Sequence, residues 1–264
     1  MISSNEVRDG YCLQSTCKIS LVIAVAALAL FYAFQGFYPD FMSFFSNAFP
    51  PLIAGAAVVS SIVASRKYGL NIRVRFSLVW VSFALGLALW FLGELCWAIY
   101  TLIMGVEIPY PSIADVFWLS GYIPLFVALF VYVKIFRSVL SRRMIGIAVA
   151  IVFALSVIVS ATLIIPIVEV EEDLVKMFFD FVYPFFDLVL LFVAILGLIV
   201  FFKGSLGKSW LLINAGIVSI AVADILFSYT TAQEIYYNGH PLELFFHWGY
   251  ILFLLAFHIH VKEL

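Results

Sequence analysis

Three carboxylic acids, Glu94, Asp187 and Asp224, stand inside long apolar runs, where an ionised side chain is expensive. An uncompensated charge near a bilayer centre costs about 2.5–3.5 kcal/mol on insertion scales. No Lys or Arg falls in the middle of any of these runs, so an intramembrane basic partner is excluded. Each acid must therefore be protonated, hydrogen-bonded by Tyr, Trp or His, or compensated by a bound cation. Each lies roughly 10 to 12 residues from the outer end of its run, about 15–18 Å deep at a rise of 1.5 Å per residue. The alternative to a functional role is an adhesive one, because polar side chains in spans also join helices by hydrogen bonds.

Helical spacing extends each acid into a stripe. Trp90, Glu94, Trp97 and Thr101 share one face, as do Asp224, Ser228 and Thr231, then Glu243, His247 and Tyr250, and Asp115, Trp118 and Tyr122. Converging stripes predict an acidic, aromatic pocket open to the outside. Its candidate ligand- or cation-binding set is Glu94, Trp97, Asp115, Asp187, Asp224, Glu243 and His247, with no catalytic residue assigned. Asp115 and Glu243 have a second reading as helix caps. Ser112-Ile113-Ala114-Asp115 has the form of a capping box after Pro111, and His240, Pro241 and Glu243 fall at the corresponding N-cap, N1 and N3 positions. Capping is the preferred account of both.

Other chemistries find little. All four histidines, His240, His247, His258 and His260, lie on or just before the last run, whereas a bis-histidine haem site wants ligands from facing helices. A zinc site built from His247, Asp224 and Glu94 would be poor in nitrogen ligands. Cys12, Cys17 and Cys96 are too scattered for a disulfide framework or a metal knuckle. There is no phosphate loop, nucleophile elbow or nucleic-acid patch, and no mid-span lysine to hold retinal. The sequence identifies no cofactor.

The elements that position these residues follow from composition. The 264 residues are 65% hydrophobic and 11% charged, whereas soluble domains are about 25% charged and under half apolar. The fold class expected is all-α, a polytopic helical protein of the cell membrane. Its eight spans fall near 19–36, 47–65, 75–103, 111–136, 143–167, 175–203, 208–235 and 241–262. The lead, residues 1–18, is polar and lacks a small-residue cleavage site after the apolar run that follows, so that run reads as a retained span. Arg66, Lys67, Arg73, Arg137, Arg142, Arg143, Lys203 and Lys208 fall after every second span, on the side of both termini, with Lys262 at the end. That side is cytoplasmic by the positive-inside rule. Asp40, Glu107, Glu169, Glu171, Glu172 and Asp173 fall on the outer side, where Lys176 is the one basic residue.

An internal repeat emerges when residues 113–134 are laid on residues 241–262 at a shift of 128. Phe117/Phe245, Gly121/Gly249, Tyr122/Tyr250, Ile123/Ile251, Ala128/Ala256 and Lys134/Lys262 coincide. Glu94 falls on Asp224 at a shift of 130 and Pro50 on Pro184 at 134, where Asp187 is matched by Ile53. Four spans separate equivalent positions, so residues 19–137 and 138–264 are expected as parallel four-helix repeats in one membrane domain.

Gly93-Glu94-Leu95-Cys96-Trp97, followed by Tyr100, Gly105, Pro109, Pro111-Ser112, Ala114-Asp115 and Gly121-Tyr122, is similar to a segment of prokaryotic membrane sensor modules. Those modules precede diguanylate cyclase, histidine kinase or other output domains. The likeness covers about 30 residues and, more weakly, the second copy. It implies an input module that senses a ligand or the state of the membrane, with Glu94, Trp97, Pro111, Ser112 and Asp115 as the motif positions. No output domain follows within the chain, so a separate cytoplasmic signalling partner is the expected readout. The expectation is a non-enzymatic sensor or receptor in the lipid bilayer, taking a small ligand or cation and no nucleic acid. Its competitors are a proton- or cation-coupled solute transporter and an intramembrane metal-dependent lipid hydrolase.

Overall fold

The computed structural model describes residues 22–170, 173–201 and 207–263. The lead with Cys12 and Cys17, and the loop residues Glu171, Glu172 and Lys203, lie outside the described residues. Every regular element in the described chain is helical: α1 (Val22–Ala33), α2 (Pro39–Lys67), α3 (Arg75–Ala98), α4 (Ile113–Ile135), α5 (Arg142–Val159), α6 (Ile165–Val170), α7 (Leu174–Phe201), α8 (Lys208–Ala232) and α9 (Glu243–Glu263). Seven of the helical stretches are long and apolar enough to cross a membrane. α1 is apolar but shorter, and gives way to a 3₁₀ turn at Gln35–Phe37.

Several boundaries differ from the sequence reading for identifiable reasons. α2 begins at Pro39 rather than near residue 47. Proline is pre-set for the first helical turn, Asp40 suits the positive end of the helix dipole, and the polar Ser43, Ser46 and Asn47 masked the start in an apolar count. Pro50 and Pro51 sit buried inside this helix without ending it. α3 runs on into a π-helical turn at Ile99–Ile103. There the Thr101 hydroxyl donates to the Trp97 carbonyl at 2.9 Å, within its own helix. A second π-helical turn, Ser160–Ile164, joins α5 to α6.

Helices α2, α3, α4, α7, α8 and α9 pack as a closed ring in the order α2–α3–α4–α7–α8–α9 and back to α2. Two glycine pairs bring neighbouring backbones close together. A Cβ on Gly86 or on Gly121 would lie 3.1 Å from the carbonyl oxygen of the other, and across α8 and α9 the Gly216 and Gly249 pair gives 3.1 and 3.2 Å. Only glycine lets these backbones approach so closely. α5 packs on α7 and turns Ile147, Val149, Phe153 and Val157 outward, as a lipid-facing helix should.

At the basic end of the bundle the interior is an aromatic plug of Trp80, Phe83, Tyr132, Trp210, Phe253 and Phe257, all buried. Trp80 meets Trp210 with ring centres 5.2 Å apart and stacks on His260 at 4.1 Å. Tyr68 bonds His260 Nε2 at 2.7 Å, and the Lys67 ammonium donates to the Val261 carbonyl at 2.5 Å, tying the ends of α2 and α9. The acids lie above this plug.

Candidate functional site

Glu94 projects from α3, one residue after Gly93, where an added Cβ would lie 2.4 Å from the Trp118 indole nitrogen. The missing side chain lets the Trp118 indole lie against α3. Tyr250 of α9 donates to Glu94 Oε1 at 2.9 Å. On the other side of the ring, Tyr122 of α4 donates to Asp187 Oδ1 of α7 at 2.6 Å and lies 3.2 Å from Asp224 Oδ2 of α8. Asp187 is 2% exposed, and its second carboxylate oxygen has no donor. Glu94 and Asp224 are only half-buried although both stand in mid-helix.

Aromatic rings line the approach. Trp97 donates from its indole to Asn47 Oδ1 at 2.7 Å, and its ring lies 6.1 Å from both Trp118 and Phe227. Phe227 meets Tyr236 edge-on at 4.7 Å. Such faces attract cations through the ring quadrupole, and the carboxylates below them add charge of the same preference.

Asp115 is a cap, as its spacing predicts. Its Oδ2 accepts from the Ser112 backbone at 2.6 Å and hydroxyl at 2.9 Å, while Ser112 accepts from Ala114. It also accepts from Tyr183 of α7 at 2.7 Å, so the cap pins a second helix. Glu243 differs from the expected N3 position. α9 starts at Glu243 itself, and the carboxylate reaches back to Gly239 N at 2.8 Å and takes Tyr236 and Tyr32 hydroxyls at 2.9 Å each. His240 still caps from outside, accepting Leu242 N on Nδ1 at 3.2 Å. Burial, then the neighbouring Glu243 charge, pushes the Tyr236 hydroxyl up, so it remains a donor.

His247 is fully buried, and Tyr32 of α1 meets its Nε2 at 2.7 Å, leaving Nδ1 without a partner. The structure thus joins Asp187 and Asp224 through Tyr122 and sets Glu94 with Tyr250 on the other side of the ring. Glu243 and His247 form a neighbouring cluster with Tyr32. Among the described residues no three His, Cys, Asp or Glu side chains gather as a metal-ligand set. The two grooves beside α1, of about 680 and 320 Å³, are apolar and separate from the acids, with Phe45 and Ile251 lining the larger and Val218 and Trp248 the smaller.

The tyrosines are what sequence reasoning underused. Tyr122 and Tyr250 stood out as a repeat pair, Tyr32 and Tyr183 not at all; each is the donor that a buried carboxylate lacking a basic partner requires. Comparison with protein-family models, curated proteins and solved structures finds no match.

Proposed function

We propose that the chain is an eight-span membrane receptor or sensor, with cytoplasmic termini, that binds a small ligand or cation in the crevice over Glu94 and Asp224. The observation that carries this reading is the pair of half-buried acids, deep in an apolar bundle without a basic partner, under a wall of Trp97, Trp118 and Phe227. A cation entering there is attracted by charge and ring faces that water alone serves poorly.

Two parallel four-helix repeats explain why the crevice lies where it does. Tyr250 bonds Glu94 while Tyr122 approaches Asp224, and the two contacts exchange under the shifts of 128 and 130. The same operation exchanges the Gly86/Gly121 and Gly216/Gly249 approaches. Trp80 and Trp210, which are equivalent, touch each other, as positions on a two-fold axis must. Ligand binding on that axis biases how the halves pack, and the cytoplasmic loops relay the change to a separate partner.

Thermal unfolding in detergent tests the reading with Na⁺, K⁺, Mg²⁺, Ca²⁺ and tetramethylammonium as probes. At least one should raise the midpoint of the wild type and lose that effect in Glu94→Gln or Asp224→Asn. Equal shifts in wild type and both variants for every active probe would overturn it.

The Asp187–Tyr122–Asp224 chain favours a second reading, a proton- or cation-coupled transporter with these acids as the relay. Proteoliposomes that show proton-dependent solute uptake, abolished by Asp187→Asn, would select it over the receptor.

A further inference from the structure

Asp187 on α7, Asp224 on α8 and Tyr122 on α4 make a group whose hydrogen count does not close if both acids are ionised. The Tyr122 hydroxyl contacts Asp187 Oδ1 at 2.6 Å and Asp224 Oδ2 at 3.2 Å. A phenol carries one hydrogen, and an ionised carboxylate only accepts. With the hydrogen spent on the shorter bond, the contact to Asp224 would set lone pair against lone pair. Asp187 Oδ2 is also buried without a donor, in a residue 2% exposed. Both carboxyls meet the same hydroxyl oxygen, Asp187 at 2.6 Å and Asp224 at 3.2 Å, so they are close neighbours.

Among the described residues the surroundings supply no positive charge. Tyr183 of α7, Glu94 of α3 and Tyr250 of α9 bear electrostatically on Asp224 or Tyr122, and all three are acids or phenols. On the helices packed against the group, Arg75, Lys134, Arg142, Arg143, Lys176, Lys208 and Lys262 stand at the helix ends, away from mid-membrane. Two carboxyls this close in such a setting do not both carry charge, and one hydrogen between them relieves the repulsion and meets the donorless oxygen.

We propose that Asp187 and Asp224 form a binding site for a single proton, shared between the two carboxyls and closed by the Tyr122 hydroxyl. The proton is then a structural ligand. It joins α4 to α7 and α8, across the two halves of the chain, on the side opposite the Tyr250–Glu94 bond. The inference does not depend on any ligand of the crevice, and stands or falls separately from the receptor reading.

Infrared spectroscopy of the full chain in lipid, in H₂O and D₂O, counts protonated carboxyls by their deuterium-sensitive carbonyl stretch. Asp187→Asn and Asp224→Asn should each remove the same band, equal to one carboxyl per chain, and the double variant should remove no more. Different bands that sum in the double variant, or no band removed, would overturn the single shared proton. Tyr122→Phe keeps both acids and provides the check should an Asn variant fail to fold. It should shift the same band in frequency without loss of area, and an unmoved band would equally refute the site.

Discussion

Gly121→Ala puts the packing that holds the acids in place under direct test. A Cβ at this position would lie 2.5 Å from Trp90 Cδ1 and 3.1 Å from the Gly86 carbonyl oxygen. The indole has little room, since Trp90 is 3% exposed and donates to the Trp118 carbonyl at 3.1 Å. The carbonyl belongs to the backbone of α3, so relief requires the two helices to separate. Overpacking of this kind costs about 1–3 kcal/mol, and alanine returns about 0.5–1 kcal/mol of helix preference over glycine. The net loss is about 0.5–2 kcal/mol, or roughly 1–8 °C in the unfolding midpoint for a chain of this length. Thermal unfolding in detergent reads it. Gly249→Ala, which meets Ile220 at 2.6 Å and the Gly216 carbonyl at 3.2 Å, should fall by a similar amount. Gly146→Ala on α5 meets nothing within 4 Å and should hold or raise the midpoint. If Gly121→Ala behaves like Gly146→Ala, the close approach of α3 and α4 is wrong, and with it the placement of Glu94 and Tyr122.

Further expectations follow from single bonds. Tyr250→Phe removes the donor to the half-buried Glu94 and should cost about 0.5–1.5 kcal/mol in the same melts; an unchanged midpoint would show that the bond is not formed. Ser112→Ala should cost about 0.5–2 kcal/mol through loss of the α4 cap, and Tyr183→Phe should lower stability through the same carboxylate. Burial holds His240 below its ordinary value, so as pH falls through about 6.5 the unfolded chain takes up a proton that the folded chain resists. Stability should therefore be lost on the acid side of that value, gently because the ring is only partly buried, and His240→Asn should flatten the slope; identical slopes would exclude His240 as the cause.

Much of the architecture is legible in the sequence because hydrophobic length is a local property. Seven long helices fall on expected runs, with shifted ends where local chemistry outweighs apolarity, as at Pro39 and Asp40. The capping of Asp115 was readable for the same reason, since Ser112 and Asp115 are three residues apart. The π-helical turn after Ala98 was not, because nothing in the Trp-Ala-Ile-Tyr-Thr string announces an extra residue per turn. Nor was the partnership of Tyr32 with Glu243 and His247, 211 and 215 residues away, which depends on how α1 lies against α9.

The extra acid of the second half gains a physical reason from the tyrosines. At a shift of 134 Asp187 is matched by Ile53, so the two sides of the bundle cannot satisfy their carboxyls alike. On the Glu94 side one carboxyl meets one phenol, Tyr250, so one donor serves one acid. On the Asp224 side two carboxyls meet one phenol, Tyr122, and one hydrogen is wanting. A bundle with matched sides would be held equally from both. This one is held by a tyrosine bond on one side and by a tyrosine bond plus a proton on the other. The side with the removable component is where a change of charge in the crevice would be felt first, since Asp224 belongs both to the half-buried floor and to the carboxyl pair.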